Sequence, residues 1–370
     1  MPMEGRRRTL LDEDRQNNFR ESLIKWYYIN QRYMPWRNTD DPYAIWISEI
    51  MLQQTRVQQV YTYYKNFMTQ FPSVEALGRA PLEKVLKAWE GLGYYARARN
   101  IHKTANQILT IYDGNFPDDP KLISKLPGIG EYTTAAIMSI AFGKDFAAID
   151  GNVIRLLSRL FLINEDIANT QTKKTMVTLA NLLLYKGRAG DFNQAMMELG
   201  ATVCTPRKPL CNTCPVKKHC LAQDLLQDPS ILPIKKPVKQ KPHQIIVVGI
   251  IRKNDKVLIV RRPTDGLLGG LWEFPGGATK GNIKKENFLR DEINRTLEID
   301  IRVDKSLATI KHAYTHFKIT LQGFYSTYLG GKTESYKNEY RWIRLEALKD
   351  YPFPRAHTRL IDAIMNQSKE

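Results

Sequence analysis

LPGIGEYTTAAIMSIAFGKDFAAIDGNV, residues 126–153, is the stretch on which the fold turns. Leu126-Pro127-Gly128-Ile129-Gly130 separates two helical patterns. The first opens on Asp119-Pro120, an N-cap followed by proline at the first helical position, and breaks at Pro127. The second begins near Glu131 and meets a C-cap at Gly143. Glycines in such a turn let the backbone approach a phosphate, and the next helix offers it unpaired N–H groups and the positive end of its dipole. Gly128 and Gly130 are therefore candidate phosphate contacts; the same residues would also make a tight turn with no ligand. Twenty residues beyond Gly130, Asp150 stands in Ile149-Asp150-Gly151-Asn152, where it is expected to cap the helix from Val153. A carboxylate at a helix N-terminus ionises readily, as a group facing a developing sugar cation must, and Asn152 is near enough to hold it.

Outward from this stretch, residues from about 10 to 228 read as helix after helix. After Asp41-Pro42, the positions Ile47, Ile50, Met51, Val57, Tyr61, Tyr64 and Met68 recur at helical spacing and predict one buried face. Glu49 lies among them in Trp46-Ile47-Ser48-Glu49-Ile50-Met51-Leu52. Apolar neighbours predict burial, which raises a carboxyl pKa, and a Glu that keeps its proton near neutral pH can act as a general acid. The pattern alone favours a single exposed polar position on an amphipathic helix over the acid.

Near residue 228 the composition changes. Residues 229–242 hold four prolines and several lysines and read as a linker. Beyond it come strands at Ile245–Ile251 and Lys256–Val260 around an Asn254-Asp255 turn, a Gly276-Gly277 break, a helix over Lys285–Leu297 and a strand region from Phe317 to Tyr328. The fold class is multi-domain, with an all-α half over 1–228, a linker over 229–242 and an α+β half over 243–370.

The four cysteines, Cys204, Cys211, Cys214 and Cys220, are spaced C-x6-C-x2-C-x5-C. In an oxidising compartment they could form two disulfides; in a reducing one they read as a metal site, for either one zinc or a 4Fe–4S cluster. Arg207, Lys208, Lys217 and Lys218 make their loop basic. The formal net charge of +17 favours an anionic polymer as partner, nucleic acid first. No apolar run is long enough for a bilayer, and no apolar segment follows the basic Met1–Arg8, so an intracellular protein without membrane contact is expected, in the cytoplasm or nucleoid if the source is bacterial; a monomer is expected.

WISEIMLQQTRVQQV, WEGLGYYARARN, LPGIGEYTTAAI, AAIDGNVIRLLSRL, FNQAMMELGATVCTPRKPLCNTCPVKKHC and LWEFPGG together resemble adenine DNA glycosylases of the MutY type, within the helix-hairpin-helix glycosylase superfamily. The resemblance spans nearly the whole chain. It implies that Glu49 protonates adenine N7, that Asp150 stabilises the sugar cation and places the water with Asn152 as its partner, and that Tyr132 lies beside the sugar. Relatives with lyase activity carry Lys at that position, so Tyr132 implies a monofunctional hydrolase. It further implies that Gln54 and Tyr94 wedge into the duplex, that Thr55 and Leu92 lie near the opposite base, and that Trp36, Arg37, Leu52 and Gln194 line the adenine pocket. The cysteines are implied to hold a 4Fe–4S cluster, and the partner is double-stranded DNA with A opposite 8-oxoguanine or G.

The C-terminal half resembles a Nudix fold. Its helix FLRDEINRTLEI, Phe288–Ile299, lacks the paired glutamates and glycine of a working Nudix hydrolase and implies a recognition module. Tyr314-Thr315-His316 matches a Phe-Ser-His lesion-reading loop, with Tyr and Thr replacing Phe and Ser. The competing readings are a lesion-binding paralogue without catalysis, against which both carboxylates argue, and an endonuclease III-like glycosylase/lyase, against which Tyr132 argues.

Overall fold

The computed structural model describes residues 12–236, 241–279, 283–314, 317–331 and 339–367. They gather into two compact units, Met1–Gly78 with Lys103–Val238, and Arg79–His102 with Lys239–Glu370.

The first unit is helical. It contains α1 (Glu13–Asn30), α2 (Pro42–Leu52), α3 (Val57–Gln70), α4 (Val74–Arg79), α7 (Pro120–Ile123), α8 (Glu131–Ile140), α9 (Gly151–Leu160), α10 (Thr170–Leu183), α11 (Ala189–Thr202) and α12 (Leu221–Leu225). α5 (Leu82–Ala88) belongs to the second unit, and α6 (Ala96–Ile111) runs through the boundary at residue 102. Helix starts follow the capping residues: the side chains of Asp12, Asp41, Asp119, Asp150 and Asn169 each accept from a backbone N–H two residues on. The core joins Phe19, Leu23 and Tyr27 of α1, Leu156, Leu157 and Leu160 of α9, Leu183 of α10 and Phe192 and Leu199 of α11. Each fully buried Leu there contributes roughly 1.5–3 kcal/mol.

One sequence expectation changes here. The buried periodicity from Ile47 to Met68 is two helices, broken at residues 53–56, with Gln54 at a left-handed φ of 57°. In α3 the buried positions are Val60, Tyr64 and Phe67, so Val57, Tyr61 and Met68 fall off the core face. Between α7 and α8 the Leu126–Gly130 hairpin is as expected: Gly128 takes φ +78°, and Thr104 Oγ1 donates to the Pro127 carbonyl at 2.8 Å. The first residues of the proline-rich segment pack into this unit, with Leu232 buried against Leu162 and Ala222.

The second unit carries a seven-stranded mixed sheet in the order β3-β2-β1-β6-β5, with β4 paired to β1 and β7 to β2. Its strands are β1 (His243–Lys253), β2 (Lys256–Arg261), β3 (Trp272–Glu273), β4 (Gly276–Thr279), β5 (Ile299–Ala313), β6 (Lys318–Gly331) and β7 (Tyr340–Arg344). β1 runs parallel to β6 and antiparallel to β2 and β4. Gly276, at φ +157°, lies where a Cβ would fall 2.0 Å from the Val247 carbonyl oxygen, so β4 can reach β1 only through glycine. α13 (Lys285–Leu297) buries Leu289, Ile293 and Leu297 on one face with Val247 and Leu258. α14 (Arg355–Gln367) buries Leu360, Ile361 and Ile364 on the other with Ile250 and Ile259. No described helix is long and apolar enough to cross a membrane.

Candidate active site

Asp41 caps α2 by accepting the Tyr43 N–H at 2.9 Å, and nearly the whole helix is buried. Glu49 is only 6% exposed. Its Oε2 accepts a hydrogen bond from the Tyr132 hydroxyl, in the first turn of α8, at 2.5 Å. Burial pushes the Glu49 carboxyl up to about 7; the Tyr132 bond and Arg37 pull it down, and the negative charge of Asp150 adds to the rise. The exposed-position reading of Glu49 is thereby excluded. Burial, with both carboxylates nearby, holds the Tyr132 phenol well above its ordinary range, so it stays a donor.

Asp150 caps α9. Its Oδ1 accepts the N–H groups of Asn152 at 2.9 Å and Val153 at 2.8 Å, and its Oδ2 accepts from Asn152 Nδ2 at 2.7 Å. Arg155 extends the chain: it donates to Asn152 Oδ1 at 2.8 Å, to the Gly200 carbonyl at 2.7 Å and to the Cys204 carbonyl at 2.7 Å. Two effects oppose each other at this cap: burial raises the Asp150 pKa, while the bonds from Val153 and Asn152 and the charge of Arg155 lower it and recover part of that rise.

Both carboxyl groups open on a cavity of about 710 Å³. α2 and the turn after it supply Leu52, Gln54 and Thr55, the hairpin supplies Gly128 and Gly130, and α9 supplies Asn152. Trp36, Arg37 and Gln194 close other walls. Trp36 meets Tyr64 edge-on at 5.2 Å, and Gln194 accepts from the Tyr27 hydroxyl at 3.3 Å. Leu92 and Tyr94 belong to the second unit, Leu92 buried and Tyr94 39% exposed. Tyr314 is there also, stacked on Phe317 at 4.7 Å, while Thr315 and His316 lie outside the described residues.

Sequence reasoning missed Glu198. It lines the cavity, 1% exposed, and its carboxylate accepts Arg32 at 2.6 and 2.9 Å and Arg37 at 2.6 Å. Burial pushes its pKa up, but the two guanidinium groups outweigh that and hold it below the usual value. The same cavity thus holds one carboxyl kept ionised and one whose pKa burial raises to about 7. A lone Glu in the apolar run Met196-Met197-Glu198-Leu199 was the same signal that singled out Glu49.

The four cysteines line one small cavity. Burial pushes Cys214 up to about 12 and Cys220 to about 11, so thiolates there need compensating positive charge. Arg159, itself 1% exposed, supplies some: one guanidinium nitrogen lies 3.2 Å from Cys204 Sγ, and the group also donates to the carbonyls of Thr205, Pro206 and Leu232. Among the described residues no three metal-ligating side chains are grouped to hold one metal ion.

Residues 47–182 match the HhH-GPD superfamily of base excision DNA repair proteins, and residues 246–363 match the NUDIX domain. The chain is similar to the adenine DNA glycosylases of Arabidopsis thaliana (34% identity over 89% of this chain and 60% of that protein) and Homo sapiens (34%, 85% and 68%). It is equally similar to that of Buchnera aphidicola from Schizaphis graminum (34%, 81% and 85%). Among solved structures, a thermostable thymine-DNA glycosylase superposes with a TM-score of 0.52 at 31% identity, over 56% of this chain and 96% of that one. With a helical glycosylase body, two carboxyl groups on one cavity and a Nudix-like sheet after it in the sequence, the chain belongs to the adenine DNA glycosylases, enzymes of DNA base excision repair.

Proposed function

We propose that the chain hydrolyses the N-glycosidic bond of adenine mispaired with 8-oxoguanine or G in duplex DNA, without strand cleavage of its own. The observation that carries this is Glu49: a buried carboxyl with a pKa near 7, bonded to Tyr132, on the same cavity as Asp150. An extruded adenine fits a site of this size. Glu49 gives its proton to N7, so the base leaves neutral as the C1′–N9 bond breaks. Asp150, oriented by Asn152 and Arg155, faces the resulting cation and positions a water, whose released proton restores the acid. Glu198, clamped by Arg32 and Arg37, is an acceptor suited to an exocyclic amine. Tyr132 supplies no amine for a Schiff base, which supports hydrolysis over lyase chemistry.

The remaining assignments extend this reading. Gln54 and Tyr94, both at left-handed φ, are assigned to wedge into the duplex as the adenine leaves the stack; Thr55, Leu92, Tyr314 and, outside the described residues, Thr315 and His316 are assigned to recognition of the opposite base. Gly128 and Gly130 meet the DNA backbone. Residues 1–228 carry the chemistry and 243–370 the reading of the opposite base. Cys204, Cys211, Cys214 and Cys220 fit a 4Fe–4S cluster, which when bound pins their basic loop; their shared cavity and the guanidinium beside Cys204 support it.

The test is base release from a duplex with A opposite 8-oxoguanine, read with and without alkali. Abasic sites that break only in alkali are expected. Strand cleavage before alkali, with a borohydride-trapped adduct, would overturn the hydrolytic reading, and no base release from a folded protein would overturn catalysis.

A further inference from the structure

The loop Gly91-Leu92-Gly93-Tyr94 has three residues at left-handed φ, Gly91 at 98°, Gly93 at 76° and Tyr94 at 50°. A non-glycine residue at such a φ needs surroundings that hold it. From beneath, Trp89 Nε1 donates to the Gly93 carbonyl at 3.1 Å, and Arg97 donates to the carbonyls of Gly93 at 3.2 Å and Leu92 at 3.4 Å. The same guanidinium lies 5.3 Å from the centroids of both the Trp89 and Tyr94 rings.

A second hold comes from far along the chain. Glu90 Oε1 accepts the Phe353 N–H at 2.9 Å, and the Tyr95 hydroxyl donates to the Phe353 carbonyl at 3.3 Å. Both backbone groups of one residue are therefore taken by side chains flanking the loop. Lys87 joins Glu90 at 2.6 Å to the Tyr351 carbonyl at 3.1 Å, and the Gly91 N–H reaches the Tyr95 hydroxyl at 3.3 Å.

Phe353 sits in Tyr351-Pro352-Phe353-Pro354, and two prolines fix φ on either side of it. Its ring is wholly buried, packed on Phe274 and His357. Three residues on, at the start of α14, Ala356 belongs with Phe353 and Phe274 to the buried cluster against which Tyr314 packs. A stiff strap, 351–357, thus holds the Tyr94 loop through Phe353 and shares one buried cluster with Tyr314.

We propose that this strap holds the two loops in one register, so that insertion of Tyr94 is tied to the base opposite the adenine, with Glu90 and Tyr95 as positioning residues. The inference rests on the roles proposed above for Tyr94 and Tyr314. Neither positioning residue lines the catalytic cavity, so chemistry on A opposite G should persist when the tie is cut.

The test uses the full-length, cluster-loaded protein. Single-turnover base release is measured with A opposite 8-oxoguanine and opposite G, and 2-aminopurine beside the opposite base reports unstacking. Glu90→Ala should lower the preference for 8-oxoguanine about tenfold, the scale of one lost charge-assisted hydrogen bond, and abolish the fluorescence rise, with the rate on A opposite G little changed. Glu90→Gln, which still accepts the Phe353 N–H, should restore most of both. Tyr95→Phe should lower the preference in the same direction, and it decides the matter if Glu90→Ala melts early. An unchanged preference in Tyr95→Phe and in a folded Glu90→Ala overturns the strap's role. A wild-type enzyme with no preference overturns instead the reading on which it rests.

Discussion

Tyr132→Phe isolates the contact that tunes Glu49. On the proposed mechanism Glu49 is the acid and must hold its proton to act, so the rate should fall as pH rises through about 7. The Tyr132 hydroxyl, at 2.5 Å, favours the ionised carboxylate and thereby holds this pKa down. Removing it leaves burial and the negative Asp150 against Arg37 alone. A hydrogen bond to a charged group contributes about 1.5–3 kcal/mol, and one pH unit corresponds to about 1.36 kcal/mol. The alkaline limb should therefore move to higher pH by about 1–2 units. The acid limb, governed by an Asp150 already raised by burial, should move less. Because the groups share a cavity, the two limbs report apparent values of the pair. The assay is single-turnover adenine release between pH 5 and 10, quenched in alkali, and the quantity read is the position of the limb rather than its height. An alkaline limb unmoved or shifted to lower pH would refute the assignment of Tyr132 as the group tuning Glu49.

Glu49→Gln should slow base release by about 10² to 10⁴, and Asp150→Asn by roughly 10² or more, with both variants still binding substrate duplex in equilibrium titrations. Arg159→Met should leave the Thr205, Pro206 and Leu232 carbonyls without their buried donor; at about 1–3 kcal/mol for each unsatisfied group, chemical denaturation should show a loss of several kcal/mol. Iron analysis should find about four irons per chain; stoichiometric zinc without iron would contradict the cluster.

The hairpin, the caps and the strands around Asn254 were legible because Gly, Pro, Asp and Asn act locally, through φ or through a side-chain bond two residues away. The break between α2 and α3 was hidden because residues 53–56, Gln-Gln-Thr-Arg, contain no such punctuation. Glu49 was legible from its apolar neighbours. Glu198 had the same setting, but its partners Arg32 and Arg37 lie over 160 residues away, and only the fold brings them to it. For Asp150 two opposing effects were both foreseeable, and their balance depends on burial depth, which local sequence does not carry. The attachment of residues 79–102 to the C-terminal unit had no local sequence signal, since its partners, among them the backbone of Phe353 and Gly269 and the side chain of Trp272, lie 170 or more residues away.

That attachment bears on how the chain folds during synthesis. Residues 79–102 emerge between the two parts of the helical unit, yet their partners begin at Lys239, more than a hundred residues later. At about 5–20 residues per second, the segment waits on the order of ten seconds or more with Leu86, which the finished structure packs beside Gly270, still uncovered. The ribosome therefore releases a helical body carrying an unfinished excursion, which the C-terminal residues complete last. Protease digestion of ribosome-arrested chains should cut within 79–102 until residues beyond 350 have left the exit tunnel; early protection would show that the segment closes without them.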